Sequence, residues 1–300
     1  MKPRAWKYEL LLLFVSAIWG FAFPAQQIGM QQGLGPMTFN ALRFALGALV
    51  LVPVILWRSK RRDAAIAKLS YPGILMAGGF LFAAAAAQQV GLQFTSSAHS
   101  GFITAFYILF VPLLGRLFGH RTGRSLWAGI AICLIGFYLL SVTGKFVVSK
   151  GDGLTLLCAV LWACQILTID RIASQGDSVR IAALEFAVCA ALSAVAGVGE
   201  RCTWDALRAA AVPLAYAGIM SVGVAFTLQV VCQKRCPPGP AAVIMSLEAV
   251  FAAVAGYLIL QQTLTARALA GCGLILLGVL IVQLAPLWRE KTATGAVVPQ

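Results

Sequence analysis

The chain has 300 residues, 60% of them hydrophobic and only 11% charged, with a mean hydropathy of +0.88. Soluble globular domains carry about a quarter charged residues, so composition excludes that class and indicates an all-α integral membrane protein. The net charge of +13 raises nucleic-acid binding, but the basic residues sort by loop as membrane topology requires, and no nucleic-acid partner is expected.

The first apolar run, from Tyr8 to about Ile28, follows Lys2, Arg4 and Lys7 as a signal peptide would. It is longer than a signal-peptide core, lacks a clear small-x-small cleavage site and contains Trp19 and Pro24, so it reads as a retained span. Further runs bounded by Gly, Pro or charge clusters bring the count to ten transmembrane helices of about twenty residues each. They lie near 8–28, 36–57, 70–91, 97–117, 125–142, 152–171, 179–198, 211–233, 239–260 and 266–286. The connections are short, none holds a soluble domain, and a polar tail, 289–300, follows Trp288.

Lysine and arginine set the orientation, because cytoplasmic loops retain positive charge. Lys2, Arg4, Lys7, Arg58, Lys60, Arg61, Arg62, Lys68, Arg116, Arg121, Arg124, Arg171, Arg180, Lys234, Arg235, Arg289 and Lys291 fall on one side. Only Lys145, Lys150, Arg201, Arg208 and Arg267 fall on the other. Both termini are therefore expected in the cytoplasm, as an even number of spans requires, in a multi-pass protein of the cell (inner or plasma) membrane.

The two halves resemble each other. At a separation of 142, Leu42 to Leu49 (LRFALGAL) matches Leu184 to Ala191 (LEFAVCAA), pairing Phe44 with Phe186 and Arg43 with Glu185. Ala128 to Gly136 matches Ala270 to Gly278 at the same separation, and Trp19 matches Trp162 within one residue. Five spans per repeat is an odd number, so the second half is expected to insert upside down relative to the first. The expected units are residues 1–145 and 146–288, two inverted five-helix repeats of the kind that place a transporter's site at their midplane interface.

One membrane-length run, Gly239 to Gln262, carries a single charge, Glu248, near its middle. Holding an ionisable side chain in hydrocarbon costs roughly 2.5–3.5 kcal/mol on insertion scales, so such a residue marks a substrate or proton pathway unless a neighbouring helix simply hydrogen-bonds it. Helical rise places Trp19, Tyr107, Trp162, Gln165 and Glu248 near mid-membrane, from both halves. Ser100, Thr104 and Tyr107 recur at helical spacing on span 4. The candidate substrate-binding set is Trp19, Thr104, Tyr107, Trp162, Gln165 and Glu248, with Glu248 also the candidate proton-coupling group. The alternative for the hydroxyls is interhelical bonding, and for the rings plain packing.

Arg43 and Glu185 lie at matching depths from opposite faces, while Gln89 and Gln93 lie near the outer end of span 3 and Gln229 and Gln233 near the inner end of span 8. Arg43, Gln89, Glu185 and Gln229 are assigned gating or structural roles. Gly129 with Gly136, and Gly271 with Gly278, give spans 5 and 10 a smooth face for close helix contact, either within the chain or in a homodimer. Six of eight cysteines fall in apolar runs and behave as small hydrophobes, and two histidines without a paired CxxC leave no metal site or cofactor to expect.

AIWGFAFPAQQIG in span 1, GPMTFNALRFALGALVLVP in span 2 and VGLQFTSSAHSGFITAFYILFVPLLGRLFG through spans 3 and 4 carry a family resemblance, as does LQVVCQKRCPPGPAAVIMSLEAVFAAVAGYLIL in the second half. In their order and duplication they resemble the EamA family of the drug/metabolite transporter superfamily. The resemblance implies ten helices in two inverted bundles, a central cavity, and movement of small organic solutes, commonly export of amino acids or related metabolites. Two departures stand out. Gly119-His120 and Gln261-Gln262 occupy places where the family often has glycine-glutamate, and Ala249 follows Glu248 where proline is frequent.

A secondary transporter of small metabolites, with or without proton coupling, is thus the first expectation. A facilitative channel or an exchanger is the alternative, and a polytopic membrane enzyme is disfavoured by ten scattered acidic residues and the lack of a GxxxxGK[ST] loop. Topology is directly testable. In a Cys-less background, a cysteine at Arg62 should be labelled from inside and one at Thr203 from outside, and the reverse pattern would overturn the charge assignment.

Overall fold

The structure, a computed structural model, describes residues 6–61, 69–95, 97–120, 122–141, 150–261 and 263–295. Lys2, Arg4, Arg62, Lys68, Arg121, Lys145 and Gln262, used in the sequence reading, lie outside them. The described residues are helical almost throughout. In chain order they form α1 (Trp6–Gln31), α2 (Pro36–Arg61), α3 (Tyr71–Gly91), α4 (Ser97–Thr104), α5 (Tyr107–Leu117), α6 (Arg124–Ser141) and α7 (Lys150–Ile172). Then come α8 (Ser178–Ala196), the short α9 (Trp204–Ala209) and α10 (Ala211–Ala215), a π-helical stretch Tyr216–Phe226, α11 (Thr227–Gln233), α12 (Pro238–Met245), α13 (Glu248–Leu260) and α14 (Ala266–Gly295).

Among the described residues, nine helices or stacked helix pairs are long and apolar enough to cross a membrane, and a shorter apolar helix covers Arg124–Leu140. Leu49, Leu75, Leu117, Val195 and Val212 are each at least 60% exposed. So many bare large apolar side chains suit lipid and not water, and the protein is a multi-pass membrane protein. α14 continues to Gly295, through much of the segment expected as a polar tail.

Lipid contributes little hydrophobic drive between helices, so close backbone approach has to hold them together. α6 and α14 show how. A Cβ on Gly136 would sit 2.7 Å from the Gly271 carbonyl oxygen, and one on Gly271 would sit 2.6 Å from that of Gly136. Gly129 and Gly278 meet in the same reciprocal way at the other end. Between them the Cys133 thiol donates to the Ile275 carbonyl at 3.6 Å. The glycine faces left open to either use by the sequence are therefore consumed within the chain.

α3 lies along α7 and α2 along α8; α1 packs on α13 and on the π-helical stretch, and α5 and α4 pack on α7. α2 and α8 are tied at both ends. Asp177 caps α8 through the Val179 and Arg180 amides and pairs with Arg58 at 3.2 Å, while Glu200 accepts from the Met37 and Thr38 amides at 3.0 and 2.7 Å. Each carboxylate thereby satisfies helix N–H groups that have no partner inside their own helix.

A matched pair of substitutions tests the glycine seam. Gly271→Ala should destabilise the protein by about 1–3 kcal/mol through overpacking. Gly273→Ala, two residues on and in open space, should be neutral or slightly stabilising because alanine is the better helix former. Thermal unfolding in detergent distinguishes the two, and equal midpoints would refute the seam.

Candidate substrate cavity

Two spans expected as continuous helices are interrupted at corresponding places. Between α4 and α5 the Phe106 amide bonds the Ile103 carbonyl and Ile108 bonds Ala105; between α12 and α13 Leu247 bonds Ile244 and Ala249 bonds Ser246. These are three-residue bonds of 3₁₀ type, a tightening that often marks a hinge inside a longer helix. Thr104 and Tyr107 flank the first break and Glu248 opens the helix after the second. All three line one cavity.

The cavity encloses about 490 Å³ of non-atom space, part of it open to solvent. One wall is aromatic. The Phe226 ring lies 4.7 Å from Trp19 and 5.4 Å from Trp162, nearly parallel to the latter. The Trp19 indole donates to the Ser221 carbonyl at 3.3 Å, so the π-helical stretch anchors the ring. The polar walls come from Gln26, Arg43, Gln88, Thr104, Gln229 and Glu248.

Arg43, Gln26, Gln88 and Thr104 are each held by a neighbour. Arg43 Nη1 donates to Gln26 Oε1 at 2.6 Å, Gln26 Nε2 donates to the Ala22 carbonyl at 3.1 Å, and the guanidinium lies 4.9 Å from the Phe44 ring centre. Gln88 Nε2 donates to Thr104 Oγ1 at 3.2 Å. The Tyr107 hydroxyl is within electrostatic reach of the Glu248 carboxyl, although neither that hydroxyl nor Glu248 Oε1 completes a hydrogen bond. The geometry is therefore an approach and not a bond, leaving both groups able to take a partner from the cavity.

Behind the wall runs a second polar set. Gln165 Nε2 donates to Glu185 Oε1 at 2.7 Å, and Gln229 Nε2 donates to Gln165 Oε1 at 3.1 Å. Gln233 Nε2 bonds the Ile166 carbonyl at 3.0 Å. Glu185 and Gln165 are fully buried.

Of the side chains singled out from sequence, Trp19, Thr104, Tyr107, Trp162 and Glu248 gather at the cavity, joined by Arg43 and Gln229. Gln165 stands behind it, spanning Glu185 and Gln229. Gln89 is buried with neither amide atom bonded, Gln93 is exposed, and Ser100 is buried away from the lining. Sequence reading missed Gln26, Gln88, Ser221 and Phe226. Gln26 was accessible, since it follows Trp19 by two helical turns and shares its face. Gln88 differs from Gln89 by one 100° step, and Phe226 has no signal that separates a cavity ring from a core ring. Among the described residues, no cluster of three His, Cys, Asp or Glu side chains could hold a metal ion.

A bundle of membrane-crossing helices with a polar cavity between broken spans defines the class of membrane transport proteins. The model of the EamA-like transporter family matches residues 6–142 and again 149–284, and the chain belongs to that family. It is 29% identical over 277 residues, 92% of this chain and 85% of the other, to an uncharacterized transporter of Archaeoglobus fulgidus. It is 28% identical over 284 residues, 89% of this chain and 88% of the other, to the threonine/homoserine exporter RhtA of Escherichia coli strain K12. A probable amino-acid metabolite efflux pump of Salmonella typhimurium is 29% identical over 163 residues, 53% of this chain and 52% of that one. A crystal structure superimposes with a TM-score of 0.78 at 20% identity, covering 96% of this chain and 100% of that one, and shows the same fold.

Trp19→Ala and Tyr107→Ala should each lower transport of an identified substrate by about tenfold, the loss of roughly 1.4 kcal/mol of ring contact, with membrane abundance near wild type. Disappearance of both variants from the membrane would assign the rings to packing.

Proposed function

We propose that the protein is a secondary transporter that exports small organic metabolites, amino acids or related compounds, across the cell membrane by alternating access. The observation that carries the reading is the cavity itself, a charged pocket built where two spans are interrupted and walled by both halves of the chain. The names of the exporter relatives support the direction and the solute class. No nucleotide-binding loop is present in the sequence, so a gradient or the solute itself supplies the energy.

The reading includes ten transmembrane helices in two inverted repeats, residues 1–145 and 146–288, with both termini cytoplasmic. The helix pairings support it. Exchanging the halves turns the contact of α3 with α7 into that of the π-helical stretch with α1, and the contact of α1 with α13 into that of α7 with α5. The pairs α2 with α8 and α6 with α14 map onto themselves. α6, at 18 residues, reaches about 27 Å at helical rise and suffices for a thin core. The cavity then lies on the exchange axis, and small rotations of one half against the other open it to alternate sides.

Glu248 is the proposed proton carrier. A carboxyl that gives its proton to one side and regains it from the other, in competition with solute for the same cavity, couples solute exit to proton entry. Glu248→Gln should keep the fold and solute exchange but lose transport driven by an imposed pH gradient in reconstituted vesicles. If the variant responds to the gradient as wild type does, Glu248 is not the coupling group. A wild type that ignores the gradient while still exchanging solute is a facilitative carrier or exchanger.

A further inference from the structure

The cavity wall carries buried polar atoms that complete no bond within the protein, and their chemistry is mixed. Arg43 Nε and Trp162 Nε1 can only donate, Gln229 Oε1 and Glu248 Oε1 accept, and the Tyr107 hydroxyl does either. A site for an anion would leave the acceptors unanswered, and a site for a cation would leave the guanidinium so. We propose that Glu185 is a positioning residue: without touching the solute it fixes the polarity of the cavity wall, so that an amino-acid solute is held by both of its charges. This rests on the transport reading above, from which it takes the amino acid as solute.

The first half of the argument is charge complementarity. One guanidinium and one carboxyl face a small buried space between aromatic rings, where an unpaired charge is costly and a paired one is tolerated. An α-carboxylate answers Arg43, whose Nη1 is already committed to Gln26 while its Nε is not. An α-ammonium answers Glu248. The faces of Trp19, Trp162 and Phe226 leave room for an uncharged side chain and nothing to bind a third charge.

The second half is a relay of amides. A glutamine offers a donor on one side and an acceptor on the other, so fixing one end fixes what the other presents. Glu185 Oε1 accepts from Gln165 whether the carboxyl is ionised or neutral, which commits the Gln165 amide group to Glu185 and turns its oxygen toward Gln229. Gln229 must then donate to that oxygen, and its own oxygen is left without a partner. The wall at Gln229 is an acceptor because of a side chain that does not line the cavity. Remove the acceptor at position 185 and the relay reverses: Gln165 turns to donate to Gln229 and the Gln229 amide becomes the free end.

Binding to purified protein in lipid nanodiscs, measured by titration calorimetry, tests this with three probes. They are L-threonine, its methyl ester, which keeps only the ammonium, and 3-hydroxybutyrate, which keeps only the carboxylate. Wild type should bind threonine at least about tenfold tighter than either, as one lost charged hydrogen bond implies. Arg43→Gln should weaken threonine and 3-hydroxybutyrate and spare the ester. Glu185→Met should weaken threonine and the ester about tenfold and spare or improve 3-hydroxybutyrate, a pattern that loosened packing does not produce. Glu185→Gln retains an acceptor oxygen and should bind as wild type does, and adding Gln229→Glu to Glu185→Met should restore threonine. Gln165→Met cuts the same relay in its middle and should match Glu185→Met, so a misfolded Glu185→Met does not shelter the idea. Equal weakening of all three probes by the relay variants overturns the positioning role. Preference of wild type for the ester or the acid, or binding of none, overturns the zwitterion site, and solute exchange in the vesicle assay then shows whether the transport reading stands without it.

Discussion

A charge placed in the interior of a bilayer has to be answered by the protein, because hydrocarbon offers no partner. Arg43, Glu185 and Glu248 pose that demand within one bundle, and much of the arrangement of the helices follows from meeting it. Arg43 and Glu185 are each met by a glutamine from another helix, at 2.6 and 2.7 Å. Glu248 is met only by the approach of Tyr107. The two charges bonded to a glutamine brace the walls, although Arg43 Nε and Glu185 Oε2 stay unbonded, and Glu248 stands at the interruption of its span.

That interruption has its counterpart between α4 and α5, and the pairing shows what duplication preserves and what it does not. Both breaks are made by the same kind of tight turn, and α2 and α8 carry matched end-caps. The chemistry has diverged. Arg43 corresponds to Glu185, Tyr107, which opens the helix after its break, corresponds to Glu248, and the π-helical stretch Tyr216–Phe226 corresponds to regular helix in α3. A wider helix carries residues off the usual register and frees carbonyl groups, and here one of them, Ser221, holds Trp19 in place. The two family repeats supply matching breaks beside one cavity; their divergence supplies walls of different chemistry.

Span positions were legible from apolar length, because a helix that must cross lipid announces itself over twenty residues. A regular rise of 1.5 Å per residue converts position along a span into relative height, which groups Trp19, Tyr107, Trp162 and Glu248, and these side chains line one cavity. Rotation about the helix was less legible. Gln165 has the right height but faces Glu185, and Gln88 and not its neighbour Gln89 reaches the cavity. The breaks at Ala105–Phe106 and Ser246–Leu247 carry neither proline nor glycine, so nothing in local propensity marks them. They exist because the packing around them holds the chain in a tighter turn.

Glutamine suits the positions between the charges and the cavity for a reason that neither a charged nor an apolar residue meets. An ionised group there would need its own counter-charge, and an apolar one would isolate Glu185 from the cavity. An amide is neutral, costs little more than its two hydrogen bonds to bury, and carries direction. Gln165 and Gln229 thus pass on the sign of Glu185 without passing on its charge, and Gln26 on the opposite side spends its donor on its own helix at Ala22 so that its oxygen is free for Arg43. Among the described side chains that line the cavity Glu248 is the one carboxyl, and no amide is bonded to its Oε1. Its charge is therefore not tied to the amide chain that Glu185 orders.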